Sequence, residues 1–344
     1  MRTALADERI LMKHGAGGRA MRRLIEDVMM AGLGDGLKPG DIGLRAMDDG
    51  AAIRVGDKWL VMTTDSHVVH PIFFPGGDIG RLAVSGTVND LSMMGATEVL
   101  GLTCAVVLEE GFSRDNLIRV QMSMRDTALE AGAPIVTGDT KVMGRGELDG
   151  IILNTTGVAI TDHIVTDAGL QPGDMLIVTG TIGDHGFAVM TARHNLALEG
   201  HLVSDVAPLN GMVRSVLMVA GRDVVAMKDP TRGGVSSAVH EMAAKARVTI
   251  VLDEPSIPVS DEARAASELL GIDPLNVANE GKAVIGVRPW AAKAVLAALH
   301  AHPLGQRAAI VGQCVDGGAS VVLDTGVGRR LLVEPEGEPL PRIC

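Results

Sequence analysis

Along most of this chain, short apolar runs of strand character alternate with longer segments whose apolar residues recur at helical spacing. That alternation restricts the chain to mixed α/β architectures. Trp59-Leu60-Val61-Met62-Thr63-Thr64 is such a run and stops at Asp65, so it predicts a buried strand delivering a carboxylate at its end. Between Pro75 and Gly95, Ile79, Leu82, Ala83, Val84, Val88, Leu91 and Met94 fall at helical spacing, and Asp78 is placed to cap that helix. Residues 99–108 return to strand character with Leu102, Cys104, Val106 and Leu108 on one face. A helix over 114–131, capped by Ser113, and strands at 134–137 and 150–160 complete the first half.

The pattern breaks at 161–173, where polar residues, Pro and Gly intervene, and restarts at Asp174-Met175-Leu176-Ile177-Val178-Thr179. Helices around 207–220, 234–246 and 290–301 then alternate with strands near 247–252, 283–287 and 319–323. The spacing predicts two α/β domains, 1–162 and 163–333, followed by a tail over 334–344. That tail holds three prolines and a glycine in EPEGEPLPRIC, so it is expected to be exposed and mobile.

Composition narrows the function classes. With 31 basic against 42 acidic residues, net −11, the chain is not built to hold nucleic acid or anionic membranes by bulk charge. It has no Tyr and only 2% aromatics, so stacking of bases is a poor option and the core must use aliphatics and 18 methionines. No apolar run is long enough for a membrane span, the N-terminus lacks an apolar export segment, and three cysteines cannot form a disulfide framework. These features point to the cytoplasm.

Three constellations could carry chemistry. His14-Gly15-Ala16-Gly17-Gly18-Arg19 precedes a helical pattern and suits an anion cradle of backbone amides or, equally, a flexible turn. Asp48, Asp49, Asp65, Asp90 and Asp139 each lie beside an apolar segment. Gathered together they would repel one another unless a hard cation such as Mg²⁺ intervened; dispersed, they would be caps and turn acids. Asp139-Thr140-Lys141 offers acid, hydroxyl and ammonium in one turn. The third is Cys344, on a tail long enough to enter a pocket and to swing out of it. Its thiol would need a cation in the docking site to become a nucleophile. Cys104 and Cys314 fall in apolar strand patterns and are expected to be buried. Ten histidines form no recognisable metal array, and the clusters at 229–234 and 279–282 read alone as caps or turns.

Taken together, HGAGG at 14–18, TTDS at 63–66, FFPGGDIGRLAVSGTVNDLSMMGA at 73–96, LEEGF at 108–112, IVTGDTKV at 135–142, GTIGDHG at 180–186, DPTRGG at 229–234, NEGK at 279–282 and PRIC at 341–344 closely resemble the HypE family of hydrogenase maturation proteins. The VND and GDTK segments are shared with a wider ATP-using superfamily that includes aminoimidazole ribonucleotide and selenophosphate synthetases; PRIC discriminates. Ala16 stands where Ser is expected, and His67 where a bulky apolar or aromatic residue is expected. The resemblance implies a two-domain aminoimidazole ribonucleotide synthetase-like fold, α/β (α+β), whose N-terminal domains pair in a homodimer as a β-barrel holding ATP and Mg²⁺. It also implies that Cys344 is carbamoylated by the carbamoyltransferase HypF, and that ATP drives dehydration of the thiocarbamate to a thiocyanate. The cyano group would pass to iron on a HypC–HypD complex. The implied sites are Cys344 as carrier, Lys141 for phosphoryl charge or proton transfer, and Glu280 as base. Gly15, Gly17, Gly18, Asn89, Thr140 and Lys141 would hold the nucleotide, and Asp65, Asp90, Asp139 and Asp48 the metal. Two rival readings are another phosphoryl-transfer member of the superfamily and a non-catalytic thiol carrier.

Overall fold

The computed structural model describes residues 9–33, 36–196, 200–334 and 343–344. Two mixed sheets organise them. The first has the order β1-β2-β7-β5-β6, built from β1 (Ala51–Val55), β2 (Lys58–His67), β5 (Glu98–Glu109), β6 (Ile135–Met143) and β7 (Ile151–Thr161). The small hairpin β3 (Phe73–Phe74) and β4 (Gly77–Asp78) leads into α2 (Ile79–Met93). α2 and α3 (Arg114–Ala131) cover one face of this sheet, where Leu82, Val88, Leu91, Val120 and Met124 are almost wholly buried. Each such side chain contributes roughly 1.5–3 kcal/mol through its removal from water. Both expected caps form: the Asp78 carboxylate accepts from Gly80 N–H at 2.7 Å and Arg81 N–H at 3.2 Å, and Ser113 Oγ accepts from Asn116 N–H at 3.3 Å.

The second sheet has the order β14-β13-β10-β12-β8-β11-β9. Its strands are β8 (Met175–Val178), β9 (Val224–Lys228), β10 (Thr249–Asp253), β11 (Val284–Val287), β12 (Ala309–Val315), β13 (Ser320–Asp324) and β14 (Arg329–Leu331). α6 (Gly234–Ala246) packs on one face through Val235, Val239 and Met242. α5 (Asn210–Ala220) and α8 (Ala292–His300) pack on the other through Met212, Val216, Val295 and Leu299. α4 (Asp184–Arg193) and α7 (Asp261–Leu270) join Phe187, Ala263 and Ala266 to the core of the first sheet, and α1 (Gly18–Leu24) opens the described chain.

Three expectations are corrected here. The strand expected to stop at Asp65 continues to His67, because Asp65, Ser66 and His67 pair with Thr155, Asn154 and Leu153 of β7. Asp139-Thr140-Lys141 is not a turn but the middle of β6, paired in parallel with β5 at Ala105, Val106 and Val107. Strand pairing carries β6 past 137, where the strand was expected to end. Cys104 and Cys314 are buried as expected. The expected mobile tail falls largely on 335–342, outside the described residues. Its last residues depart from the expected exposure: Ile343 is only 2% exposed, and Cys344 is partly buried against the same core.

Candidate active site

A cleft of about 780 Å³ opens between the two sheets. The loop before β1 brings Asp48 and Asp49 to it, β2 brings Asp65, α2 brings Asp90, and the loop after β9 brings Asp229 and Arg232. Glu280, Gly17, Gly18 and Cys344 complete the lining relevant to chemistry. Of the residues singled out in the sequence, Asp48, Asp49, Asp65, Asp90, Gly17, Gly18, Glu280 and Cys344 therefore meet, while Gly15 is not part of the lining. They do not sit at the ends of parallel strands, as a doubly wound fold would place them, because β2 runs antiparallel to both its neighbours.

Crowding of carboxylates dominates the electrostatics. Asp229 is pushed up to about 8 by burial, reinforced by Asp49 and Asp65. Asp48 is pushed up to about 7 by burial and by Asp167 and Asp49. Burial, with Asp229 and Asp65, holds both Asp90 and Glu280 well above the ordinary carboxylate range, even though Thr63 Oγ1 donates to Asp90 Oδ2 at 2.8 Å. On the flank, Lys228 Nζ lies 2.7 Å from Asp49 Oδ1 and 3.2 Å from Glu241 Oε2, an ammonium held charged by its anions. Asp49 Oδ2, Ser237 Oγ and Glu280 Oε1 are buried with no hydrogen-bond partner among the described residues. Each such orphan costs about 1–3 kcal/mol, so the cleft is built for a polar ligand that satisfies them. Repelling carboxylates beside unfilled donors and acceptors fit a divalent cation with phosphate oxygens. Among the described residues no three acids, histidines or cysteines form a ready-made ion cage. A hydrated cation of the Mg²⁺ kind, which keeps waters and shares phosphate oxygens, would fit such a lining.

Arg232 is the cation that lines the cleft alongside the last residue of the chain. Negative charge at Cys344 is the largest influence raising the guanidinium's already high pKa, ahead of Asp65 and Glu280. Arg232 also ties the glycine loop down. Its Nη1 donates to Gly15 O at 3.5 Å, and a Cβ on Gly17, whose φ is +78°, would lie 2.9 Å from Arg232 Cβ. Sequence reasoning missed Asp229 and Arg232 because an isolated DPTRGG reads as a turn; the glycine pair after it was the one available signal, since both glycines adopt positive φ.

Other expected site residues lie elsewhere. Asn89 is buried with its amide fully engaged: Nδ2 donates to Ala207 O and Glu280 O, and Oδ1 accepts from Leu209 N–H. It fixes the Glu280 segment against α2 instead of presenting a group to a nucleotide. Asp139, Thr140 and Lys141 are exposed on β6 and do not line the cleft of their own chain. Lys141 Nζ pairs with Asp139 Oδ2 at 2.7 Å, which lowers the Asp139 carboxyl below its ordinary range. β6 is the outermost strand of its sheet and exposes Val136 and Val142.

Comparison with known proteins agrees with this picture. Residues 47–161 match the model of the AIR synthase related protein, N-terminal domain, and 171–324 that of the C-terminal domain. The chain is 46% identical to the carbamoyl dehydratase HypE of Rhizobium leguminosarum bv. viciae, over 99% of this chain and 96% of that protein. It superposes on HypE in a HypE–HypF complex with a TM-score of 0.84 at 41% identity, covering 91% of this chain and 99% of that one. HypE in complex with ATP gives a TM-score of 0.80 at 39% identity, covering 98% and 100%. The chain therefore belongs to the HypE family of AIR synthase related proteins.

Proposed function

We propose that this protein is an ATP-dependent carbamoyl dehydratase that carries its substrate on Cys344 and converts S-carbamoyl-cysteine to S-cyano-cysteine, releasing ADP and phosphate. The observation that carries the reading is the position of Cys344. The last residue of the chain lines the acidic cleft together with Arg232 and Glu280. The relatives' names and the ATP complex support the same activity.

The chemistry balances within this cleft. Dehydrating R–S–C(O)NH₂ removes its oxygen and two N–H protons; the oxygen leaves on the phosphoryl group taken from ATP, so water never departs as hydroxide. Asp48, Asp65, Asp90 and Asp229 would hold Mg²⁺, which supplies neutralisation of phosphate charge. Gly15, Gly17 and Gly18 would close over the triphosphate. Arg232 steadies anionic charge near the thiol. Glu280, a carboxyl raised well above its ordinary range by burial and neighbouring acids, is the candidate to take the nitrogen's protons.

Asp139, Thr140 and Lys141 would act across a homodimer in which β6 edges meet, so that each cleft receives an ammonium from the partner copy; the exposed apolar edge of β6 supports this arrangement. The complex that the similar HypE forms with HypF supports HypF as a partner, here the proposed carbamoyl donor; a HypC–HypD complex is the proposed acceptor of the cyano group. No helix among the described residues is long and apolar enough to cross a membrane; with the unbridged cysteines this supports a cytoplasmic setting.

Mass measurement of the C-terminal peptide after carbamoylation, with and without Mg-ATP, tests the reading. Loss of one water from the Cys344 adduct only with Mg-ATP is expected. An adduct indifferent to ATP would leave a passive carrier.

A further inference from the structure

Behind the last two residues of the chain lies a buried histidine with no part in that chemistry. His185, in the first turn of α4, is wholly buried. Its Nδ1 is 2.8 Å from Ser204 Oγ and its Nε2 is 3.0 Å from the carbonyl oxygen of Ile343. Ser204 is itself held, since its backbone N–H donates to Pro75 O at 2.8 Å and its hydroxyl accepts from Val206 N–H at 3.0 Å. These partners dictate the tautomer. A carbonyl only accepts, so Nε2 carries the proton; Nδ1 is then an acceptor and the Ser204 hydroxyl donates to it. Burial disfavours the imidazolium, which keeps this neutral form. Phe74 packs edge-on against the imidazole, ring centroids 5.4 Å apart and planes at 89°.

Ile343 is gripped a second time through its side chain, buried in the core that Phe74, Phe187 and Ala263 share with the first sheet. Two anchors thus act on the residue that precedes the thiol, one directional and one apolar. With both in place, Cys344 retains only its own backbone and χ1 freedom. With either lost, the terminal segment regains the reach that takes the thiol out of the cleft. Restricting a reactive group this way raises its effective concentration at the site.

We propose that His185, oriented by Ser204, is a positioning residue that captures the Ile343 carbonyl and so holds the Cys344 thiol in the cleft. The capture itself stands on geometry alone; its catalytic consequence rests on the dehydratase reading above.

The rate of iodoacetamide alkylation of Cys344, followed by mass spectrometry of the C-terminal peptide in the full chain, reads the capture directly. His185→Ala and Ile343→Ser should each speed alkylation about five- to tenfold, the loss expected for one anchor. Ile343→Ser lies at the chain end, where the cost of the lost packing is confined to undocking the last residues, so it should lower the melting temperature less than His185→Ala and keeps the test valid if that variant folds poorly. His185→Gln, which retains an N–H donor, should return the rate to near wild type; a merely structural histidine would not be rescued this way. In the carbamoylated protein the two disruptive variants should slow ATP-dependent loss of water without slowing carbamoylation. Unchanged alkylation in both would overturn the capture, and faster alkylation with unchanged dehydration would overturn the positioning role. If the wild-type adduct never loses water, the dehydratase reading fails while the alkylation result still decides the capture.

Discussion

Replacing Asp229 with asparagine should make the protein more stable at alkaline pH and abolish its use of Mg-ATP. Asp229 is 7% exposed, and its carboxyl is pushed from an ordinary 3.8 to about 8. Between those values the folded chain holds a proton that the unfolded chain has released, so this group's contribution to stability falls as pH rises through the window. Carried to pH 8 the shift is worth at most about 6 kcal/mol, and to pH 5 about 1–2 kcal/mol, at roughly 1.4 kcal/mol per pH unit. Cleft water relaxes part of that repulsion, and the asparagine must satisfy its own buried amide at about 1–2 kcal/mol. The net expectation for Asp229→Asn is near zero at pH 5 and about 1–3 kcal/mol of stabilisation at pH 8. For domains of this size that is a rise in melting temperature of about 3–8 °C. Circular-dichroism melts at pH 5, 6.5 and 8 would show the difference growing with pH. Adding Mg-ATP should raise the wild-type melting temperature and leave the variant unmoved. A variant destabilised equally at every pH would refute the account of the cleft as a set of mutually repelling acids.

Two further expectations concern other parts of the site. Gly17→Ala places a Cβ 2.9 Å from Arg232 at a φ of +78°, a strain of about 1–3 kcal/mol; it should raise the KM for Mg-ATP about tenfold or more with little change in global melting, and an unaltered KM would remove the glycine loop from the nucleotide site. Val142→Glu, on the exposed edge of β6, should convert a dimer to monomers in sedimentation velocity and abolish dehydration; a variant that remains dimeric would place the interface elsewhere.

Much of the architecture was legible because it rests on local periodicity. The helix expected from Asp78 spans Ile79–Met93, and the one from Ser113 spans Arg114–Ala131. Where long-range pairing decided, local signals failed: the strand expected to end at 137 runs on to Met143 because β5 pairs with it through Gly138 and beyond. α4 and α7 escaped periodicity analysis; α4 is buried along nearly its whole length, so no polar face marks it.

The sequence by itself determined the class of fold, the family and the presence of reactive groups, since alternating apolar periods and short motifs are properties of neighbouring residues. Only the tertiary structure decided which acids repel one another, because a carboxyl's environment depends on chain segments as distant as Asp49, Asp90 and Asp229. It separated Asp139 and Lys141 from the acids they were expected to join, by laying them on an edge strand. It also revealed His185 as the contact behind Cys344, since a bond spanning from α4 to Ile343 leaves no trace in local pattern.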